Sequence, residues 1–178
     1  AVVFGAEPAA VIRTMQPSAE SVDLVERAGA VRPMTRLHGD GLFQAIVPLD
    51  GRSPDDVEYR LRVADPGGTL REIDDPYIFG HVLSDYDLHL FGEGTHYRAW
   101  DKLGAHTVAI GATTGVHFAV WAPNAQRVSV IGDFNRWDGR AHPMRKLVPT
   151  GVWELFVPGV ADGACYKFEI RTGDGHLL

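Results

Sequence analysis

The chain repeats itself, and the repeat limits what it can fold into. VIRTMQPSAESVDLVE (Val11 to Glu26) aligns with HFAVWAPNAQRVSVIG (His117 to Gly132), pairing Pro17 with Pro123 and Val22 with Val128, each pair 106 positions apart. PMTRLHGDGLFQAIVP (Pro33 to Pro48) aligns with PMRKLVPTGVWELFVP (Pro143 to Pro158) at a spacing of 110, and EYRLRV (Glu58 to Val63) with CYKFEI (Cys165 to Ile170) at 107. Three blocks in one order, offset by small insertions, are two copies of one module. Such a chain builds two similar domains in tandem rather than one large core.

Both copies read as β-structure. In CYKFEI, Tyr166, Phe168 and Ile170 share one face while Lys167 and Glu169 take the other. RVSVIG repeats the alternation with Val128 and Val130, and GVWELFVP sets Trp153, Leu155 and Val157 on one side. PNAQ, GDFNRWDG, PTG and TGDG punctuate these short strands with turn formers. The pattern predicts an all-β protein of two tandem immunoglobulin-like β-sandwiches joined by a structured connector with a short helix. The boundaries expected are 1–80 for the first sandwich, 81–110 for the connector and 111–178 for the second.

The connector is too rich in apolar residues for a floppy linker. Ser84 or Asp85 is placed to cap a short helix in which Tyr86 and Leu90 share a face, and EGTH then ends it. Trp100 is expected to anchor this region, and Trp153 to lie in the core. Trp121 leaves the face shared by Phe118 and Val120, and reads either as a domain contact or as a second ligand platform.

Composition excludes several classes of function. A formal charge of −6 speaks against a nucleic-acid or anionic-membrane partner. No apolar run approaches the roughly 20 residues of a membrane helix. Cys165 is the only cysteine, which fits a reducing compartment such as the cytoplasm and offers no zinc set. The eight histidines show no ligand spacing, and His38, His89 and His96 read as surface or packing residues. Neither a metal nor a cofactor is expected. Asp85, Asp87, Glu93, Asp133 and Asp138 do not form a recognisable pair across a cleft, so no catalytic residue is expected within the chain. The start at Ala-Val-Val and the stop at DGHLL read as a piece of a longer protein.

The copies differ most at GDFNRWDG, Gly132 to Gly139. The first copy has ERAGAVRPM at the matching place, with no large apolar substitute for Trp137. An indole in a loop of turn formers either packs on Phe134 or a neighbouring domain, or is held out for a ligand. A flat apolar face with one N–H suits a pyranose ring, whose faces carry C–H groups and whose rim carries hydroxyls. Lys167, Asn135 and Arg136 are placed to donate to such a rim.

GVHFAVWAPNAQRVSVIGDFNRWDGRAHPMRKLVPTGVWELFVPGVADGACYKFEI closely resembles the starch- and glycogen-binding module of carbohydrate-binding family 48. DDPYIFG, DLHLFGEGTH and LGAH resemble the joining region of bacterial glycogen branching enzymes. The resemblance implies that the first copy is the extra amino-terminal sandwich of the longer enzymes of this kind. It implies a non-catalytic role in positioning α-glucan, with glycogen or maltooligosaccharides as partner. The catalytic (β/α)₈ barrel of the α-amylase superfamily, with its aspartate nucleophile and glutamate acid/base, would follow Leu178 in the parent. The family's ligand-holding tryptophan and lysine correspond to Trp137 and Lys167. Where related kinase-subunit modules carry a second tryptophan, this chain has GDGHLL, which puts His176 or Leu177 in its place. Two alternatives stand beside this reading: a brace for the barrel without sugar affinity, and a debranching or trehalohydrolase-type parent.

Overall fold

The computed structural model describes residues 2–4 and 7–178, with side chains from residue 8 onward. It divides into two units, Ala1–Asp75 and Pro76–Leu178. The first holds β1 (Val2–Phe4), β2 (Glu7–Met15), β3 (Ser21–Glu26), β4 (Val31–Pro33), β5 (Thr35–His38), β6 (Leu42–Pro48), β7 (Tyr59–Ala64) and β8 (Leu70–Ile73). Two four-stranded antiparallel sheets, β1-β2-β6-β5 and β4-β3-β7-β8, face each other. Ala10, Phe43, Ala45 and Val47 from one layer meet Val22, Leu24, Leu61 and Val63 from the other in a shared core. The two-residue period of the strands sends these side chains inward and their neighbours outward.

The second unit opens with the connector. Its helix α1 (Asp85–Glu93) starts at Ser84, whose hydroxyl accepts from the Asp87 N–H while the Asp87 carboxylate accepts from the Ser84 N–H. Gly94 closes α1 in the left-handed conformation. Then follow β9 (Gly104–Ile110), β10 (Thr113–Trp121), β11 (Ala125–Gly132), β12 (Arg145–Leu147), β13 (Val152–Pro158) and β14 (Tyr166–Thr172). The sheet β12-β13-β10-β9 lies over the pair β11-β14. Val116, Phe118, Trp153, Leu155 and Val157 of the first layer pack with Val128 and Val130 of the second, and Tyr166, Phe168 and Ile170 close on them. The unit is again a β-sandwich, and among the described residues the fold is all-β with one α-helix and a few 3-10 turns.

The sequence repeat is a structural repeat. β2 pairs β6 as β10 pairs β13, and β3 pairs β7 as β11 pairs β14. Gly41 and Gly151, matched at the 110 spacing, both turn with φ in the left-handed region (96° and 76°). A Cβ at either would overlap the matched proline, Pro17 or Pro123. In each copy the glycine carbonyl accepts a backbone bond across that turn, from Gln16 at 2.7 Å and from Ala122 at 2.9 Å.

The copies diverge in how much of one sheet is covered. β6 alternates, with Leu42 and Gln44 half-buried and Ile46 exposed on its outer face, whereas Val152, Glu154 and Phe156 of β13 are buried. The connector covers that outer face in the second unit. Leu83 packs with Ala119, Leu147 and Val152, joined by Leu88, Phe91 and Leu103. Phe79 meets Phe156 edge to face at 4.8 Å, and the Arg145 guanidinium donates to the carbonyls of Phe79 and Tyr77, both at 2.6 Å. Leu88 and Phe91 form the packing stripe of α1, while the capping box turns Asp87 inward and leaves Tyr86 on the face it shares with Leu90. One expectation is corrected here. Trp100, expected as the anchor, sits in the turn Ala99–Asp101 with 68 % of its surface open; Leu83, Leu88, Phe91 and Leu103 fasten the connector instead.

At the centre of this contact lies Glu154, 2 % exposed. Its Oε2 is 2.9 Å from His117 Nε2 and accepts the N–H groups of Leu83 (3.1 Å) and Val82 (3.3 Å), while Oε1 is 2.7 Å from His81 Nδ1. Burial alone would raise the carboxyl pKa, but the bonds from His117, Leu83 and His81 outweigh it and hold it below the ordinary 4.5. A lowered folded value means that the stabilisation is present above about pH 4.5 and is lost as the pH falls through the folded pKa. Its counterpart in the first copy, Gln44, only accepts from Arg13 at a half-open surface. Glu154→Ala is therefore expected to cost about 3–5 kcal/mol in urea unfolding at pH 7, since it strands several buried donors. Gln44→Ala should stay within about 0.5 kcal/mol.

Candidate functional site

The loop after β11 is built on its own hydrogen bonds. Gly132 is buried, and a Cβ there would overlap the Cys165 carbonyl and the Phe134 ring. The turn Asp133–Asn135 follows, and Asn135 points inward. Asn135 Oδ1 accepts from Gly132 N at 2.9 Å, and Nδ2 donates to the Val130 carbonyl (2.9 Å) and to His142 Nδ1 (2.8 Å). To accept that bond the imidazole must be neutral, and burial pushes its pKa down to about 4. Asp133 ties the loop to β14, with its N–H donating to the Cys165 carbonyl and its Oδ2 accepting from Cys165 N, both at 3.3 Å.

Two successive residues then adopt the left-handed conformation, Arg136 (φ 57°) and Trp137 (φ 60°). Side chains with a Cβ rarely occupy this region, and each such residue costs on the order of 1 kcal/mol. The distortion stands Trp137 on the surface with 41 % of its area open. Its ring N–H donates to Asp133 Oδ1 at 3.1 Å, and its backbone N–H to the Gly132 carbonyl at 3.0 Å. The indole is thereby held in place with its face available. Asp138 closes the loop through Arg140, whose Nε and Nη2 donate to its two carboxylate oxygens at 3.0 and 2.8 Å.

Strand register decides which other candidates share this place. Gly132 pairs with Tyr166 and Ile131 with Lys167, so exposed Lys167 stands beside the root of the loop. Arg136 is exposed within the loop itself. Asn135 does not join them as a donor, because both its amide hydrogens are spent inside the loop. His176 does not join them either. Thr172 pairs with Ala125 at the opposite end of β14, and the His176 carbonyl accepts there from Thr172 N at 2.9 Å, while its ring Nδ1 lies 3.0 Å from Asp174. Five strand positions separate Lys167 from Thr172, roughly 17 Å. Sequence reasoning passed over Asp133 and His142, the residues that orient the indole and hold the loop. Their signal is the run of polar residues around Phe134, which a short loop this dense in donors and acceptors must satisfy internally.

Family models match both halves of the chain. Residues 4–77 match the alpha-1,4-glucan branching enzyme GlgB, N-terminal domain, and residues 102–178 match Carbohydrate-binding module 48 (Isoamylase N-terminal domain). Relatives named 1,4-alpha-glucan branching enzyme GlgB include those of Paramagnetospirillum magneticum and Rubrobacter xylanophilus, each 52 % identical over 94 % of this chain. A Xanthomonas campestris relative named 1,4-alpha-glucan branching enzyme GlgB 1 is 49 % identical over 99 % of it. The chain spans only about a fifth of these relatives, 22 to 24 % of their length. Among solved structures, a pullulanase from Anoxybacillus sp. LM18-11 is similar at 16 % identity and a TM-score of 0.31, covering 92 % of this chain and 22 % of that one. No helix among the described residues is long and apolar enough to cross a membrane.

The His142 geometry carries a pH signature. Its folded pKa lies below the unfolded 6.5, so the unfolded chain takes up the proton first. Stability of the second unit is expected to fall as the pH drops below about 6.5, with this group's loss complete near about 4. Urea midpoints across that range, with the His142 ring followed by NMR, measure it. A His142 resonance titrating near 6.5 would contradict the Asn135–His142 bond.

Proposed function

We propose that this chain is the non-catalytic amino-terminal part of a cytoplasmic 1,4-α-glucan branching enzyme, and that its second sandwich holds α-glucan chains on the Trp137 loop. The parent's barrel, with both catalytic acids beyond Leu178, cuts an α-1,4 chain and rejoins the segment through an α-1,6 bond. Retention through a covalent glycosyl intermediate suits that transfer, because a glucan hydroxyl can take the place of water. The observation that carries the reading is the strained backbone at Arg136 and Trp137, which holds an indole open beside Lys167. Strain of this kind at a surface aromatic serves presentation, since packing alone would not need it. The ring stacks on the sugar face, and the Lys167 ammonium donates to the hydroxyl rim. Asn135, Asp133 and His142 act from behind, fixing the loop.

One aromatic wall and one ammonium support affinities of about millimolar. Titration with maltoheptaose is expected to quench tryptophan fluorescence saturably. Trp137→Ala should abolish the response, and Lys167→Ala should weaken it about tenfold. No saturable response up to about 20 mM would sink the platform reading. The purified chain should form no α-1,6 branches on amylose, and branching by it would overturn the assignment of the acids to the barrel.

A second reading, the brace, rests on a different observation. Leu147, Val152 and Trp121 lie in one register row, so exposed Trp121 and the exposed Val148 next to Leu147 share one end of that sheet. The Trp121 ring is fixed there by its N–H, which donates to the Thr150 carbonyl at 3.2 Å. An apolar end of this kind suits contact with the rest of a longer protein.

A further inference from the structure

On the side of α1 away from its packing stripe is a cavity of about 530 Å³, within the range of small-ligand sites. Its base is rigid. The His96 ring stacks on Phe91 at 4.4 Å and sets Nε2 3.1 Å from Asp87 Oδ1. The other Asp87 oxygen accepts from the Ser84 hydroxyl at 2.7 Å and pairs with Lys102 at 3.1 Å. Burial alone would raise the Asp87 pKa, but the bonds from Ser84, His96 and Lys102 outweigh it and hold the carboxyl well below the usual carboxylate range. The rim is aromatic and open, with Tyr97 85 % and Tyr86 70 % exposed. Beside Tyr97, Arg98 pairs with Asp101 at 2.6 Å, leaving guanidinium and carboxylate edges at the mouth.

Two lining side chains carry buried polar atoms without a partner, Thr95 Oγ1 and His96 Nδ1. The His96 side chain is 8 % exposed, so water does not readily replace that partner. Both atoms are closed off in the base of the cavity, so the surface a ligand meets is the rim of Tyr86, Tyr97, Arg98 and Asp101. The lining also selects a ligand class. Asp87 and Asp101 oppose an anion, and Lys102 and Arg98 oppose a cation or a purely apolar body. A neutral ring with apolar faces and a hydroxyl rim satisfies the tyrosines and the charged edges together.

We propose that this cavity is a second sugar subsite, separate from the Trp137 loop, with Tyr97 as its main stacking face and Tyr86, Arg98 and Asp101 around it. The choice of an α-glucan as ligand rests on the function proposed above; the site itself rests on the connector geometry. It lies on the outer side of the sheet β12-β13-β10-β9, whereas the Trp137 loop leaves the other layer, so the two can engage sugar independently.

The test is an NMR titration of the whole chain with maltoheptaose, following backbone amides of residues 86–102 and 132–139 in one experiment. Saturable shifts at 86–102 are expected in the wild type and unchanged in Trp137→Ala. Tyr97→Ala should weaken binding at that set at least about tenfold, while Tyr97→Phe, which keeps the ring, should restore it to within about twofold. Tyr97 is exposed, so neither substitution threatens the fold. Shifts confined to 132–139, or a Tyr97→Ala chain that binds as the wild type does, would overturn the cavity and leave the loop reading intact. Shifts at 86–102 without any at 132–139 would uphold the cavity and end the loop reading. No shift at either set would overturn both.

Discussion

The second unit depends on a buried carboxylate. Glu154 sits in the middle of an apolar strand, on the sheet face opposite the sandwich core, where an unpaired charge would be prohibitively costly. Neighbouring β10 supplies one partner, His117, and the connector supplies the rest: His81 and the backbone of Val82 and Leu83. The cost of removing the charge from water is thus converted into a requirement that the chain pass over this face along one path. Apolar packing by Leu83, Leu88, Phe91 and Leu103 fills the area around that point, but contacts of that kind fix no direction by themselves. The position of α1, and with it the cavity on its far side, follows from the clasp.

The Trp137 loop shows a similar logic on a smaller scale. A buried amide, Asn135, takes the place of secondary structure by serving a backbone donor, a backbone acceptor and a neutral imidazole at once. Only a loop secured in this way can tolerate two adjacent residues in the left-handed region. The first copy lacks this equipment. Its matching segment turns at Gly29, φ 93°, where no Cβ is at stake, and it presents no aromatic.

Much of this was legible in the sequence, because repetition and two-residue periodicity are direct records of sandwich geometry. The paired blocks, the inward faces of β11, β13 and β14 and the Ser84 cap could be read without coordinates. What escaped shares a physical cause: alternation tells which side chains leave a core, not what they then meet. Glu154 and His117 lay on such an outward face, so the layer above them was invisible. Trp100 looked like an anchor, yet it lies in an exposed turn, and Leu83, Leu88, Phe91 and Leu103 make the apolar contact instead. His176 was near the loop in a motif comparison but far from it along β14, since proximity in a sandwich is set by which end of a strand a turn occupies. Asn135 read as a flanking donor because its burial depends on His142, seven residues on.

The spent N–H of Trp137 carries one more consequence. An indole whose only donor is occupied by Asp133 can offer a partner its face and nothing else. A face cannot count hydroxyls, so it is nearly blind to which epimer rests on it. Discrimination would then fall to curvature, to how well the pitch of a coiled polymer keeps one ring flat on the indole while bringing another within reach of Lys167. On the proposed function, such a surface would read the shape of a chain rather than the identity of a residue.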